Sequence, residues 1–208
     1  MRKLLIILTL VLCGCFVRGP KAFYYTHNTT NISSPIKIIP IYIDKDFGPA
    51  DKTSIYDSVV QWNFALNGYI KLEVKDTNFD MDPRIVRWIL NGNGWMILKV
   101  DSSNSIVTSL DAKQGPKNGN KILAWANEIG GNRIFIIRDR IDNKWVTGIS
   151  LHEMGHLLGA KHDNAYLMQP TYHWEDGRCV DYEALKLVAE YQHIPIEKLN
   201  YCTYEIKH

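Results

Sequence analysis

The densest chemistry in the 208-residue chain lies at positions 152–163, which read HEMGHLLGAKHD. His152 and His156 are four residues apart. On a helix the second is turned only about 40° from the first, so both imidazoles point to one side. Glu153 adjoins His152 and reaches the same opening. Gly159 lets the chain leave the helix with φ > 0, and the turn that follows returns His162 to the same point from another direction. Three neutral imidazoles leave the full charge on one zinc ion and one coordination position open. Water there has its pKa lowered toward ~7, and Glu153 is placed to take its proton as general base and pass it to a leaving amine. The reaction expected of such a group is hydrolysis of a peptide bond.

Spacing alone must be weighed against chance. An HExxH string arises by chance in roughly one such chain in a hundred, whereas adding Gly159 and His162 lowers this to roughly one in fifty thousand. Leu151, Met154, Leu157 and Leu158 also give the segment a helical apolar face.

The elements that must hold this helix are legible in outline. Residues 36–47 (IKIIPIYIDKDF) alternate as a strand, with Pro40 pushing it toward an edge or a bulge. Ile55, Val59, Trp62 and Leu66 have helical spacing over 51–66, with Gly68 a natural stop. Strands are expected at 69–74, 95–100, 122–126 and 134–137, and a short helix at 82–90 with Pro83 in its first turn. Residues 101–121 are polar and rich in turn signals, hence a long loop at least in part. An amphipathic helix is expected at 180–194, carrying Leu185, Val188 and Ala189. Strands followed later by helices suggest an α+β fold.

Composition sets the frame. The chain is 46% hydrophobic and 22% charged, which is globular. Its net charge of +2 gives no reason to expect a nucleic-acid partner. The whole excess, Arg2 and Lys3, precedes the apolar run LLIILTLVL of residues 4–12, which is too short to span a bilayer. This reads as an export signal over residues 1–14. Leu12-Cys13-Gly14-Cys15 resembles a bacterial lipobox, which implies lipidation of Cys15 and a membrane-anchored protein of the cell envelope; simple secretion is the alternative. Residues 15–35 read as a tether, and Asn28 and Asn31 match a glycosylation pattern that the lipobox argues against. One domain, 36–208, follows, and it is expected to be a monomer.

At positions 152–162 the sequence resembles the metzincin zinc endopeptidases, whose HExxHxxGxxH pattern is met by His152, Glu153, His156, Gly159 and His162. A Met-turn follows the third histidine in that family, and Tyr166-Leu167-Met168-Gln169-Pro170 matches it. Among metzincins the matrixins are the most similar, through residues 123–126, Gly130-Gly131, residues 134–136, Trp145, and the Met168, Pro170, Tyr172 spacing. Asp163 departs from the matrixin Ser or Thr and matches adamalysins instead. The resemblance implies a mixed sheet with an antiparallel edge strand, an active-site helix, a Met-turn and a C-terminal helix. It implies Met168 as a hydrophobic floor and Leu123, Ala124, Trp125 and Ala126 as an edge that pairs with an extended peptide. Pro170 and Tyr172 would wall the adjoining pocket. Asp163 either holds the turn after His162 by hydrogen bonds or is a plain polar turn residue.

Cys179 and Cys202 flank the last helix and are expected to pair in an oxidising compartment. No histidine precedes residue 122 in the 101–121 segment, so a second zinc has no support; no EF-hand loop is present, so neither has calcium. The expectation is an exported zinc endopeptidase acting on extended protein segments. Its rival is a catalytically silent metzincin-like peptide-binding protein.

Overall fold

The computed structural model describes residues 23–25, 37–114, 121–163, 166–171 and 179–204. The expected signal segment, Cys15, Asn28, Asn31 and Tyr172 lie outside the described residues. In chain order the main elements are β1 (Phe23–Tyr25), β2 (Lys37–Asp44), α1 (Pro49–Leu66), β3 (Ile70–Phe79), α2 (Pro83–Trp88), β4 (Trp95–Val100), α3 (Ser105–Gln114), β5 (Ala124–Ala126), β6 (Arg133–Ile137), α4 (Val146–Leu158), α5 (Tyr182–Gln192) and β7 (Cys202–Tyr204).

Five strands form one mixed sheet in the order β3-β2-β4-β6-β5. The first four are mutually parallel, and β5 runs antiparallel to β6 at the edge. Parallel neighbours need crossovers, and α1 is the one between β2 and β3. Central β4 is buried on both faces over its first four residues, whereas β2 and β6 alternate buried with half-buried side chains. Ile39, Ile41, Ile43, Ile97, Ile134 and Ile136 enter the main core, while Met96 and Leu98 point the other way into a smaller cluster with Phe79 and Ile89.

Pro40 does not put β2 at an edge, because β2 is internal. Pro40 pairs with Glu73 on the β3 side, whereas β4 begins only opposite Ile41. The missing N–H therefore interrupts no ladder with β4, and the register against β3 slips after Ile41 as a bulge. The 15–35 tether contains a described strand, since β1 pairs with β7. The 101–121 segment is not all loop, because α3 occupies Ser105–Gln114. Its apolar signal is weak: Val107 is fully buried while Ile106 is exposed. Asn104 starts the helix by accepting from Ile106 N at 2.9 Å.

Helix α1 packs the stripe Ile55, Val59, Trp62 and Leu66 into the core. It ends at Asn67 in the left-handed region (φ 46°), with Gly68 following. Its partner is α4, which is buried nearly all round, polar Ser150, Glu153 and His156 included. Two polar contacts fix the pairing. Trp62 Nε1 donates to Leu151 O at 3.0 Å, and Ser58 Oγ donates to Thr147 O at 3.0 Å.

Trp62→Phe keeps the ring in the core but removes the indole donor to Leu151. A stability loss of about 1–2 kcal/mol is expected by urea denaturation. An unchanged midpoint would show that this bond does not hold α1 to α4.

Candidate metal centre

Helix α4 carries His152, Glu153 and His156 and stops at Gly159 (φ 110°). Ala160 N donates back to Gly155 O at 2.9 Å and Gly159 N to His156 O at 3.0 Å, closing the last turn. A Cβ at Gly159 would also lie 2.1 Å from the ring of Tyr191, so both backbone angle and space require glycine there. Beyond this turn the chain brings His162 over the helix.

The three rings converge through one edge. Nε2 of His162 is 3.3 Å from Nε2 of His152 and 3.2 Å from Nε2 of His156. In two of the rings the opposite nitrogen faces a backbone carbonyl. His152 Nδ1 donates to Leu167 O at 2.6 Å, and His156 Nδ1 donates to Ala160 O at 2.7 Å. A carbonyl only accepts, so both rings carry the proton on Nδ1 and turn an Nε2 lone pair inward. Ring nitrogens that meet at this distance are arranged so that they could share one cation. Four-coordinate zinc with nitrogens at ~2.0–2.1 Å places its ligand atoms about 3.3 Å apart, which the two distances to His162 match.

Burial lowers the His152 pKa to about 3, helped by the neighbouring His156. It also lowers His156 and the more open His162. The neutral ring, which is the ligating form, is therefore the stable one. Burial pushes Glu153 up to about 8, opposed by a hydrogen bond from Ala126 N–H. Its Oε2 has no hydrogen-bond partner. A cation held by the adjacent histidines would favour the ionised carboxylate.

A cleft of about 880 Å³ opens over these groups. Leu123, Ala124, Trp125 and Ala126 line it, as do Gln169, Pro170 and Thr171. In the β5–β6 ladder Ile137 N donates to Leu123 O and Asn127 N to Arg133 O. Antiparallel alternation then directs the N–H and C=O of Ala124 and Ala126 away from β6. Ala126 N–H goes to Glu153, which leaves Ala126 C=O and both groups of Ala124 at the sheet edge.

Met168 is fully buried, and a Cβ at Gly155 would lie 2.7 Å from its sulfur, so the residue packs directly beneath the helix. Asp163 N donates to Met168 O at 3.1 Å, closing the turn through the backbone. Cys179 and Cys202 form a disulfide at the start of α5.

Asp181 is the residue that sequence reasoning missed. As the N-cap of α5 it accepts from Ala184 N at 2.8 Å, and its other oxygen accepts from Leu167 N at 2.8 Å. Leu167 O is the acceptor for His152, so Asp181 lies one residue's backbone away from a candidate metal ligand. An acidic residue just before an apolar periodic run was the available signal, but it indicates a cap and not a link to the site.

No protein-family model matches the chain, and no curated protein matches it significantly. Solved structures similar to it include an archaemetzincin from Methanopyrus kandleri, with a TM-score of 0.48 and 13% identity over 79% of this chain and 98% of that one. Metalloproteinase-II from Bacteroides fragilis has a TM-score of 0.45 and 18% identity over 84% of this chain. This chain spans 58% of the length of the Bacteroides protein.

Asp181→Ala is expected to weaken zinc binding by roughly 10–100-fold in competition with a chromophoric chelator, since the support of His152 is lost. A folded variant with unchanged affinity would separate Asp181 from the metal centre.

Proposed function

We propose that this protein is a zinc-dependent endopeptidase of the metzincin type that cuts extended protein segments. The observation that carries this is the convergence of three neutral imidazole nitrogens beside a buried carboxylate, under an open strand edge. His152, His156 and His162 would hold a zinc ion, which when bound would supply a Lewis acid to acidify water and polarise a carbonyl.

The chain's own groups do the rest. Ala124 N–H, Ala124 C=O and Ala126 C=O pair with the backbone of an extended peptide, which holds it whatever its side chains. Ala126 N–H orients one oxygen of Glu153, and the unpartnered Oε2 takes a proton from water and delivers it to the leaving amine. Leu167 O and Ala160 O keep two imidazoles in the ligating tautomer. Pro170 lines the cleft, and Tyr172, two residues further along the chain, is proposed to extend that wall.

The finer placement with the matrixins rests on the motif spacing at residues 123–126, Trp145, Met168 and Pro170. Export is supported by the Cys179–Cys202 disulfide, which persists in oxidising compartments. Lipidation of Cys15 is the proposed anchor. Cys15→Ser should release the protein from the membrane fraction and remove the acyl mass.

With casein or a mixed peptide library, cleavage should stop on chelation and return with added zinc. Glu153→Ala should reduce turnover by on the order of 100-fold or more while zinc binding persists. Cleavage that survives in Glu153→Ala would refute the mechanism. Peptide binding without any turnover by the zinc-loaded wild type would favour a silent peptide-binding protein.

A further inference from the structure

The single helical turn Arg138–Arg140, directly after β6, takes no part in the hydrolytic reading, yet its three side chains all reach other elements. Arg138 pairs with Asp51 of α1 at 2.8 Å, and Asp139 accepts from Ser102 N at 3.0 Å. Arg140 forks onto Asp111 of α3, Nη1 to Oδ1 at 3.1 Å and Nη2 to Oδ2 at 2.6 Å. Its Nη1 also donates to Ile122 O at 2.9 Å. The Arg140 side chain is only 12% exposed, and a bidentate pair fixes direction as well as distance. One guanidinium therefore staples α3 to the chain just ahead of β5.

This staple shapes the cleft. Leu110, next to Asp111, lines it together with Ile122. Because Ile122 O is already taken, the backbone edge open to an incoming strand ends at Ala124. Beyond that point the cleft offers side chains, and Leu110 and Ile122 are apolar. Glu153 is bonded at Ala126, which places the cut at that end of β5. A peptide antiparallel to β5 then carries the residues C-terminal to the cut toward Ile122.

We propose that Arg140, through Asp111, is a positioning residue for specificity. It holds Leu110 and Ile122 as an apolar subsite for a substrate side chain on the C-terminal side of the cut. The preferred substrates are thus extended peptides with a large apolar residue two or three positions after the scissile bond. This deepens the endopeptidase reading and rests on it.

The test uses matched fluorogenic peptides that differ only in Leu or Gly at the second or third residue after the cut. Wild type, Arg140→Ala, Asp111→Asn and Leu110→Ala are compared, with kcat and KM resolved. Wild type should favour Leu by ~10-fold in kcat/KM, carried by KM, and each variant should reduce that preference to about twofold or less. Hydrogen exchange without substrate should quicken in α3 and residues 122–126 of Arg140→Ala and Asp111→Asn while α4 stays protected. A wild type indifferent to Leu or Gly, variants that lose both peptides equally, or unchanged exchange in α3 would each overturn the proposal. Absence of any cleavage by wild type would instead overturn the endopeptidase reading, whatever the exchange data show for the staple.

Discussion

Leu167 is held through both of its backbone polar groups. Its carbonyl accepts from His152 Nδ1 and its N–H donates to the buried Asp181. Neither group can be left unpaired in a buried setting without a penalty of about 1–3 kcal/mol. The turn at residues 166–168 must therefore sit between α4 and α5 at one distance from each. This one requirement joins the histidine helix, the turn beneath it and the C-terminal helix into a single unit. The Cys179–Cys202 disulfide lies at the same junction, and Asp181 bridges to Cys202 in the backbone pairing.

Helix α4 is the axis of the molecule because it is buried on nearly every side. Helix α1 packs along it through Trp62 and Ser58. Helix α5 grips its far end, where Gln192 Nε2 donates to Leu158 O at 2.8 Å and Tyr191 fills the space that Gly159 leaves. The turn after β5 is tied to it as well, since Gly130 N donates to His156 O at 2.8 Å. The two candidate ligands carried on this helix, His152 and His156, are preorganised, as each ring is held in one tautomer by a backbone carbonyl.

The sheet ends in two edge strands, β3 and β5, and open edges invite unwanted pairing. At β5 the edge is three residues long, half-buried, and lines the cleft. Arg140 occupies the next carbonyl, at Ile122. The same contact that ends the edge also anchors α3, so protection of the strand and shape of the cleft come from one ion pair.

Much of this was legible in the residues themselves. The histidine spacing, the glycine stop and the apolar stripe of α1 are local patterns, and local patterns survive folding because helix and strand periods are set by backbone geometry. The strand at Trp95–Val100 and the N-cap-proline start of α2 at Asp82 and Pro83 belong to the same class. The position of β2 inside the sheet was not legible, since what Pro40 disturbs depends on where β4 begins. Nor was α3, whose apolar period is too weak and whose anchor, Arg140, lies beyond β5 and β6 in the chain. The pairing of Asp181 with Leu167, the lone-pair convergence on one point and the free oxygen of Glu153 are likewise tertiary facts. Sequence by itself determined which atoms could bind a metal and move a proton, because those are properties of residue type and short spacing. Only the tertiary structure decided which partners hold them, because hydrogen bonds and ion pairs between distant segments depend on how helices and strands come together.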